Sequence, residues 1–357
     1  MDEITTVAER NDTNERRFTW EARLLQASPI GVTLTSVLIS LLVFTTYLLC
    51  VWWNSLPIIV MNMGDPTLTS DAWTAICMSL LWGSILGLGE YTRVANLADL
   101  QLLKARNVMN DSAHFDVMMF GPLKETRRRG QAFGLLGACV GYIFYRLIYQ
   151  PEGHPVDLLD ATLTNYWFIV MTLMLFIEIF RNLSYLRADT MSLLANLDHR
   201  IKINLFNIDN LDGLGRIALR RALPWVAASA IVFLMSFAQS TSILFWPLFV
   251  GLMISAALIF GLPMWRVHGL IDRAKNVELA KLRLDIARAS HAFRQDENVE
   301  AASRLAALIA LERRLERVRE WPLDVSTVVR FGLYLALPLG SWLGGALVEK
   351  ALDVLTR

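Results

Sequence analysis

Apolar residues occur along this chain in seven long blocks that are separated by polar segments. Each block holds about 20 residues, the length that an α-helix needs to cross a hydrocarbon core of about 30 Å. None of the blocks shows the two-residue alternation of a transmembrane barrel strand. We therefore predict an all-α, polytopic helical membrane protein with about seven transmembrane helices. The blocks are Val32–Trp53, Ala72–Glu90, Gln131–Tyr149, Tyr166–Arg181, Leu223–Ala238, Ile243–Trp265 and Val328–Val348.

The composition supports this class of protein. Hydrophobic residues make up 54% of the 357 positions, charged residues make up 19%, and the mean hydropathy is +0.41. Soluble domains contain about 25% charged residues, so the composition argues against a chain made mainly of soluble domains. The first apolar block is longer than the core of a signal peptide and lacks a small-residue cleavage site. We therefore expect it to remain in the protein as an anchor.

Lysine and arginine are distributed unevenly among the polar segments. Of the 34 basic residues, 31 lie in the N-terminal tail and in segments 90–130, 181–224 and 264–330. Segments 54–71 and 150–165 contain none. Because basic loops stay on the cytoplasmic side, this pattern predicts that the N-terminus is inside and the C-terminus outside. It also favours a multi-pass protein of the cytoplasmic (inner) membrane.

The polar segments between the blocks predict the domain organisation. In segment 267–321 a polar break at 295–298 separates two helical arms, which predicts a helical hairpin. Apolar residues in its second arm follow the 3–4–3 spacing of a coiled-coil seam, namely Leu308, Leu311, Leu315 and Val318. The predicted parts are a cytoplasmic tail (1–28), a six-span bundle (29–266) with cytoplasmic helical loops at 91–130 and 182–222, the cytoplasmic hairpin (267–321), and the seventh span with a short outer tail (322–357).

Motifs for catalysis or cofactor binding are missing from the sequence. The five histidines are far apart and the three cysteines form no CxxC pair, so we expect neither a metal site nor a cofactor. The segment Gly213–Ala218 resembles a dinucleotide-binding fingerprint but leads into the fifth span and does not follow a strand. The net charge of +1 gives no electrostatic argument for nucleic acid. We therefore expect a protein that is not an enzyme and does not bind nucleic acid.

Three ionisable residues inside the predicted spans are functional candidates, because charge is costly in a bilayer. Glu90 and Glu178 each precede an arginine by three residues, Arg93 and Arg181, near the inner boundary. Either an interfacial anchor or a functional intramembrane charge fits this spacing. Arg146 lies near the outer end of the third span, on the side that otherwise lacks basic residues. A salt bridge to the following acidic loop, or a role in ion conduction or substrate binding, would explain it.

The seventh block combines a proline with several small residues. Proline removes a backbone hydrogen bond and kinks a helix, and small residues four positions apart allow helices to approach closely. Such a helix either lines a pore or an oligomer axis, or is tightly packed. The candidates are Pro338, Gly340, Ser341, Gly344 and Gly345, and the pairs Gly83/Gly87 and Gly137/Gly141 have the same spacing in the second and third spans.

The basic runs Lys124–Arg129 and Arg216–Arg221 come just before spans three and five, where we expect them to attract anionic lipid headgroups. The predicted topology resembles that of insect chemoreceptor channels. Their polar-aromatic signature is missing from Phe331–Val348, so we infer no function from that resemblance.

Two functional hypotheses follow from the sequence. We expect a non-enzymatic homo-oligomer that acts as a channel, a transporter-like component or a membrane sensor. The alternative is a membrane scaffold or partner-binding subunit that docks through its cytoplasmic hairpin. A scaffold would need only an exposed apolar stripe on Val267–Glu320.

Overall fold

The computed structural model describes residues 20–62, 65–106, 124–149, 162–200, 205, 207–236, 245–296, 299–321, 326–336 and 340. Most of these residues are helical, and a single turn of 3-10 helix (Ile208–Leu211) precedes α6. The helices are α1 (Trp20–Ala27), α2 (Val32–Trp53), α3 (Ser70–Ala105), α4 (Lys124–Tyr149), α5 (Leu163–Arg200), α6 (Asp212–Met235), α7 (Phe245–Asp296), α8 (Val299–Glu316) and α9 (326–336).

Five of the described helices are long and apolar enough to cross a membrane: α2, α3, α5, α6 and α7. The chain is therefore a helical membrane protein. The third predicted span forms α4, but this helix is not among the five. The seventh apolar block lies mostly outside the described residues. The count of seven spans and the sides of the two termini stay predictions.

A short β-hairpin connects α2 to α3, in a segment that we predicted to be a loop. Strands β1 (Ile59–Asn62) and β2 (Asp65–Leu68) pair antiparallel, with Ile59 opposite Leu68. The β-branched pair Ile59-Val60 favours extended backbone. The hairpin is a local addition to an otherwise helical architecture.

The long helices alternate in direction. Trp73 Nε1 at the start of α3 donates a hydrogen bond to the carbonyl oxygen of Leu234 at the end of α6 (2.9 Å). Near the start of α6, Arg216 binds Asp99 in the second half of α3. Similar contacts show that α3, α5 and α7 run in one direction and that α2, α4 and α6 run in the other. We call the end where α3, α5 and α7 continue past their apolar segments the basic end, and the opposite end the β-hairpin end.

Each end of the bundle has its own core. At the β-hairpin end, Trp167 of α5 packs on Tyr47 of α2 with ring centroids 5.2 Å apart, and its indole Nε1 donates to Thr46 Oγ1 (2.9 Å). At the basic end, α3, α6 and α7 bury an aliphatic cluster. Phe331 of α9 stacks on Phe260 of α7 with centroids 4.0 Å apart. The start of the seventh apolar block therefore contacts the bundle at its basic end.

Two glycine pairs bring neighbouring helices into backbone contact, as their spacing predicts. A Cβ added to Gly83 of α3 would lie 2.6 Å from the carbonyl oxygen of Ser36 in α2. One added to Gly137 of α4 would lie 2.4 Å from the carbonyl oxygen of Phe176 in α5. The second glycine of each pair contacts the same neighbouring residue. Both pairs therefore serve packing within the chain.

Helix α7 continues without a break far beyond its apolar segment. It has 52 residues, which is about 78 Å at the helical rise. Residues 245–265 carry no charged side chain, whereas 266–296 carry seven basic and four acidic ones. Helix α8 runs back along this charged part. We call residues 266–321 the arm.

The four residues of the predicted seam of α8 are buried to different degrees. Leu315 is buried, with 1% of its surface exposed, and Leu308 and Val318 are half-buried. Leu311, on the same face of the helix, is 37% exposed. On α7, Leu279 and Leu282 are buried. The two arm helices therefore pack most tightly at Leu315.

Candidate functional site

The two predicted intramembrane carboxylates are buried, and each is neutralised within its own helix. Glu90 accepts hydrogen bonds from Arg93 at 2.6 Å (Nη2) and 2.9 Å (Nε). Glu178 accepts one from Arg181 Nη2 at 2.5 Å. These i,i+3 pairs offset the cost of burying the carboxylates. The geometry suits structural anchors.

Arg146 is half-buried in the last turn of α4. A cation at this position interacts favourably with the C-terminal carbonyl groups of the helix. The acidic residues that we expected as its partners, Glu152, Asp157 and Asp160, lie outside the described residues. Its salt bridge and its role in ion conduction or substrate binding stay predictions.

The small residues of the seventh block fall largely outside the described part of the chain. Pro338, Ser341, Gly344 and Gly345 are not described. Gly340 is described as helical and exposed, and a Cβ added there would meet no atom within 4 Å. The pore-lining and the packing hypotheses for this helix both stay predictions.

An ion cluster at the basic end was not predicted from the sequence. Asp99 of α3 is buried and accepts two hydrogen bonds from Arg216 of α6, from Nε at 3.2 Å and from Nη2 at 2.9 Å. Arg220, one helical turn later, binds the other carboxylate oxygen of Asp99. Arg220 also donates to the carbonyl oxygen of Ala95 at 2.9 Å. The cluster joins α3 to α6.

This cluster changes the interpretation of the basic run Arg216–Arg221. The run was expected to face anionic headgroups, yet Arg216 and Arg220 point to Asp99, and Arg221 is buried. The i,i+4 spacing of Arg216 and Arg220 was the available signal, because it places two cations on one helix face. Sequence alone did not identify the carboxylate more than 100 positions earlier that they bind.

A second cluster fixes the base of the arm, where α8 returns towards the bundle. Lys275 of α7 is buried and donates to the carbonyl oxygens of Glu316 (2.9 Å) and Val318 (3.3 Å). It also donates to Glu320 Oε1 at 2.9 Å. The carbonyl groups at the end of a helix have no donor within the helix, and here the ammonium group of Lys275 donates to them.

Aromatic contacts complete the base of the arm. The ring of His268 stacks on Trp321 with centroids 4.3 Å apart and planes 5° from parallel. His268 Nδ1 lies 3.0 Å from the carbonyl oxygen of Glu320 and, since a carbonyl only accepts, carries the donated proton. The hydrogen bond from Lys275, and then its charge, lower the pKa of the Glu320 carboxyl. Together these contacts hold the end of α8 against α7.

The outer face of the arm carries an exposed apolar stripe on α7. Val277 and Leu284 are 55% and 60% exposed, and Ala280 and Ala287 are also exposed. At 3.6 residues per turn, these four positions fall within an arc of about 80°. They lie opposite the buried Leu282, which faces α8. We call Val277, Ala280, Leu284 and Ala287 the stripe.

The rim of the stripe is basic. Lys281 and Arg288 are exposed beside the stripe, about 80° and 60° from its centre, and the exposed Arg273 lies in line with the stripe one turn earlier. All three are in the half of the helix that is centred on the stripe. The four acidic residues of α7 beyond residue 266 lie outside this half of the helix. Two of them pair with the rim, Glu278 with Lys281 (3.4 Å) and Asp285 with Arg288 (3.3 Å).

The described residues combine an exposed apolar stripe with a basic rim on one face of the arm. Among them, no group of three or more His, Cys, Asp or Glu side chains could hold a metal ion. An apolar stripe with a charged rim is the usual face that one helix offers to another. Comparisons with protein families, with characterised proteins and with solved structures found no match.

Proposed function

We propose that this membrane protein is a membrane-anchored scaffold whose arm docks a soluble protein. The stripe on α7 carries the proposal. Its two large members, Val277 and Leu284, are more than half exposed, although α7 already buries a separate apolar face against α8. A helix that only supports its hairpin partner needs one apolar face, and a second one indicates a further contact.

The geometry of the arm suits presentation of this surface. Residues 266–296 of α7 extend about 45 Å at the helical rise and continue the apolar segment without a break. With 11 charged residues, this part does not fit in hydrocarbon. The contacts of Lys275 and His268 fix α8 at the base. On the positive-inside pattern, the arm projects into the cytoplasm from the cytoplasmic membrane.

The other hypothesis is the homo-oligomeric channel, transporter-like component or sensor. It depends on Pro338, Ser341, Gly344 and Gly345, which lie outside the described residues, and on Gly340. A channel does not require the exposed stripe. The scaffold accounts for the stripe directly, and we therefore prefer it.

The test places a photoreactive amino acid in the full-length chain in its native membranes. Position 284 probes the stripe, and position 299 is the control, because Val299 is also an exposed apolar residue of the arm (83%) but lies outside the stripe. We expect an adduct with a different protein at 284 and none at 299. The adduct should disappear when Val277 is replaced by Ser in the same chain.

Two results would overturn the scaffold. One is the absence of a protein adduct at 284, and the other is an equal adduct at both positions. Ion flux through liposomes that contain only the purified protein, together with no adduct at 284, would put the channel in its place.

A further inference from the structure

We infer that the occupant of the stripe is an acidic amphipathic helix of a partner protein. This inference rests on the scaffold proposed above and specifies the chemistry of its partner. Three observations carry it: the spacing of the stripe, the sign of its rim and its distance from the apolar segment of α7.

The spacing of the stripe fits a helix. Successive members of the stripe are three, four and three residues apart, which is the repeat of a seam between two packed helices. The stripe is about 15 Å long and one residue wide. Large and small side chains alternate along it, with Val277 and Leu284 separated by alanines. A row of apolar residues on a second helix can pack along such a ridge.

The rim sets the charge of the partner. Positions beside a helical seam choose partners by electrostatic pairing. Lys281 and Arg288 occupy these positions, while Arg273 lies in line with the stripe one turn before Val277. The pairs that Lys281 and Arg288 make with Glu278 and Asp285 are exposed and 3.4 and 3.3 Å long. Such exposed pairs contribute little and exchange readily. A partner with glutamate or aspartate beside its own apolar row would complement the rim.

The same rim disfavours two other occupants. A second copy would bring two basic rims together, and like charges across a seam are destabilising. The bilayer that holds the protein is also a poor fit. Val277 lies 12 residues beyond Trp265, about 18 Å along a continuous helix, and that helix leads away from the apolar segment.

The experiment uses the full-length protein in nanodiscs of zwitterionic lipid and two probe peptides of about three heptads. Both probes carry leucine and alanine at the seam positions. One has glutamate beside the seam and the other has lysine. Fluorescence anisotropy should detect saturable binding of the acidic probe, weakened by raising the salt from about 0.05 to about 0.3 M, and no binding of the basic probe.

Matched variants assign the binding to the stripe and its rim. Leu284→Ser should weaken binding of the acidic probe by about tenfold or more. Val299→Ser, which makes the same kind of change at the exposed start of α8, should have no effect. The double change Lys281→Glu with Arg288→Glu should abolish binding of the acidic probe and create binding of the basic one. Arg304→Glu, an exposed charge reversal on α8, should leave both probes unchanged.

The outcomes separate this inference from the scaffold itself. A protein adduct at position 284 together with equal binding of both probes, or of neither, would overturn the acidic partner and leave the scaffold standing. An adduct that contains only a second copy of the chain, or only lipid, would overturn both. If Leu284→Ser leaves the affinity for the acidic probe unchanged, the inference is also overturned, because the probe then binds elsewhere on the protein.

Discussion

The carboxylate of Asp99 and the guanidinium of Arg216, 117 positions apart in the chain, form a two-point contact between α3 and α6. Nε and Nη2 of Arg216 both donate to the same oxygen, at 3.2 and 2.9 Å. The second oxygen of Asp99 binds Arg220. Because Asp99 is buried while both arginines reach the surface, this carboxylate is the fixed centre of the joint between α3 and α6.

Replacing Asp99 with Ala should destabilise the basic end of the bundle. The change removes the carboxylate that binds two close cations. Losing one member of a fully buried ion pair costs about 3–5 kcal/mol, and the cost here should be smaller because both arginines reach the surface. The unfolding midpoint of the purified protein in mild detergent, followed by circular dichroism, should fall.

The matched control is Asp272→Ala. Asp272 occupies the same place in the pattern R-V-x-x-L-x-D that Asp99 occupies, with the two copies starting at Arg93 and Arg266. Asp272 accepts a hydrogen bond from Asn276 of its own helix at 3.2 Å. The unfolding midpoint of this variant should be close to that of the wild type. An equal fall of the midpoint in both variants would contradict the structural role of the Asp99 cluster.

Replacing Gly137 with Ala should separate α4 from α5. The new Cβ would lie 2.4 Å from the carbonyl oxygen of Phe176, and a backbone atom cannot move aside as a side chain can. Overpacking of this kind costs about 1–3 kcal/mol. Gly251→Ala is the control, because a Cβ there meets nothing within 4 Å. Thermal unfolding in detergent should show a lower midpoint for Gly137→Ala alone.

The pattern of apolar residues was sufficient to predict most of the helices, and the glycine spacing was sufficient to predict two close contacts between neighbouring helices. The first block, Val32–Trp53, coincides with α2, because a long run without charge or turn residues has no competing local structure. The glycine pairs also predicted close contacts, because a missing Cβ is a property of the residue itself. Both are local features.

Long-range partners could not be predicted in this way. Nothing near Asp99 in the chain indicates that Arg216 will be its partner, since their contact depends on how α3 and α6 pair. The seam of α8 illustrates a second limit. Its 3–4–3 spacing treats four residues alike, yet Leu315 is 1% exposed and Leu311 is 37% exposed. Next to them Glu312, with a side chain only 21% exposed, approaches Arg283 of α7 at 2.8 Å. The apolar spacing indicates neither how deeply each residue is buried nor the ion pair at the edge of the contact.

Replacing Lys275 with Met should loosen the base of the arm. Methionine keeps the unbranched stem but supplies no donor for the carbonyl oxygens of Glu316 and Val318. A fully buried acceptor that loses its donor costs about 1–3 kcal/mol, and these two carbonyl groups should cost less because Glu316 is exposed and Val318 is half-buried. Limited proteolysis should then cut faster at 317–321. Lys281→Met is the control, since Lys281 is exposed and pairs only weakly with Glu278; equal cleavage in both variants would argue against the contact.

Acid should release Glu320 from Lys275. The pKa of the Glu320 carboxyl is lowered from 4.5 by its hydrogen bond with Lys275. When the folded pKa is lower than the unfolded one, the stabilisation is complete above the unfolded value and is lost as the pH falls through the folded value. Hydrogen exchange at 317–321, corrected for its intrinsic pH dependence, should therefore accelerate below about pH 4. Glu320→Gln should remove this acceleration at low pH. An acceleration of equal size in that variant would show that another group causes it.

The seventh apolar block gives the sharpest test of the topology. Its first part, α9, begins at the basic end, where Phe331 stacks on Phe260, and the block Val328–Val348 is long enough to return across the bilayer at about 31 Å. Because 31 of the 34 basic residues lie in the segments assigned to the inner side, we expect a reporter inserted after Asp296 to be cytoplasmic. A reporter fused after Arg357 should be on the outer side. If both reporters are found on the same side, the last block does not span the membrane. The number of transmembrane spans is then six, and the C-terminus lies on the same side as the arm.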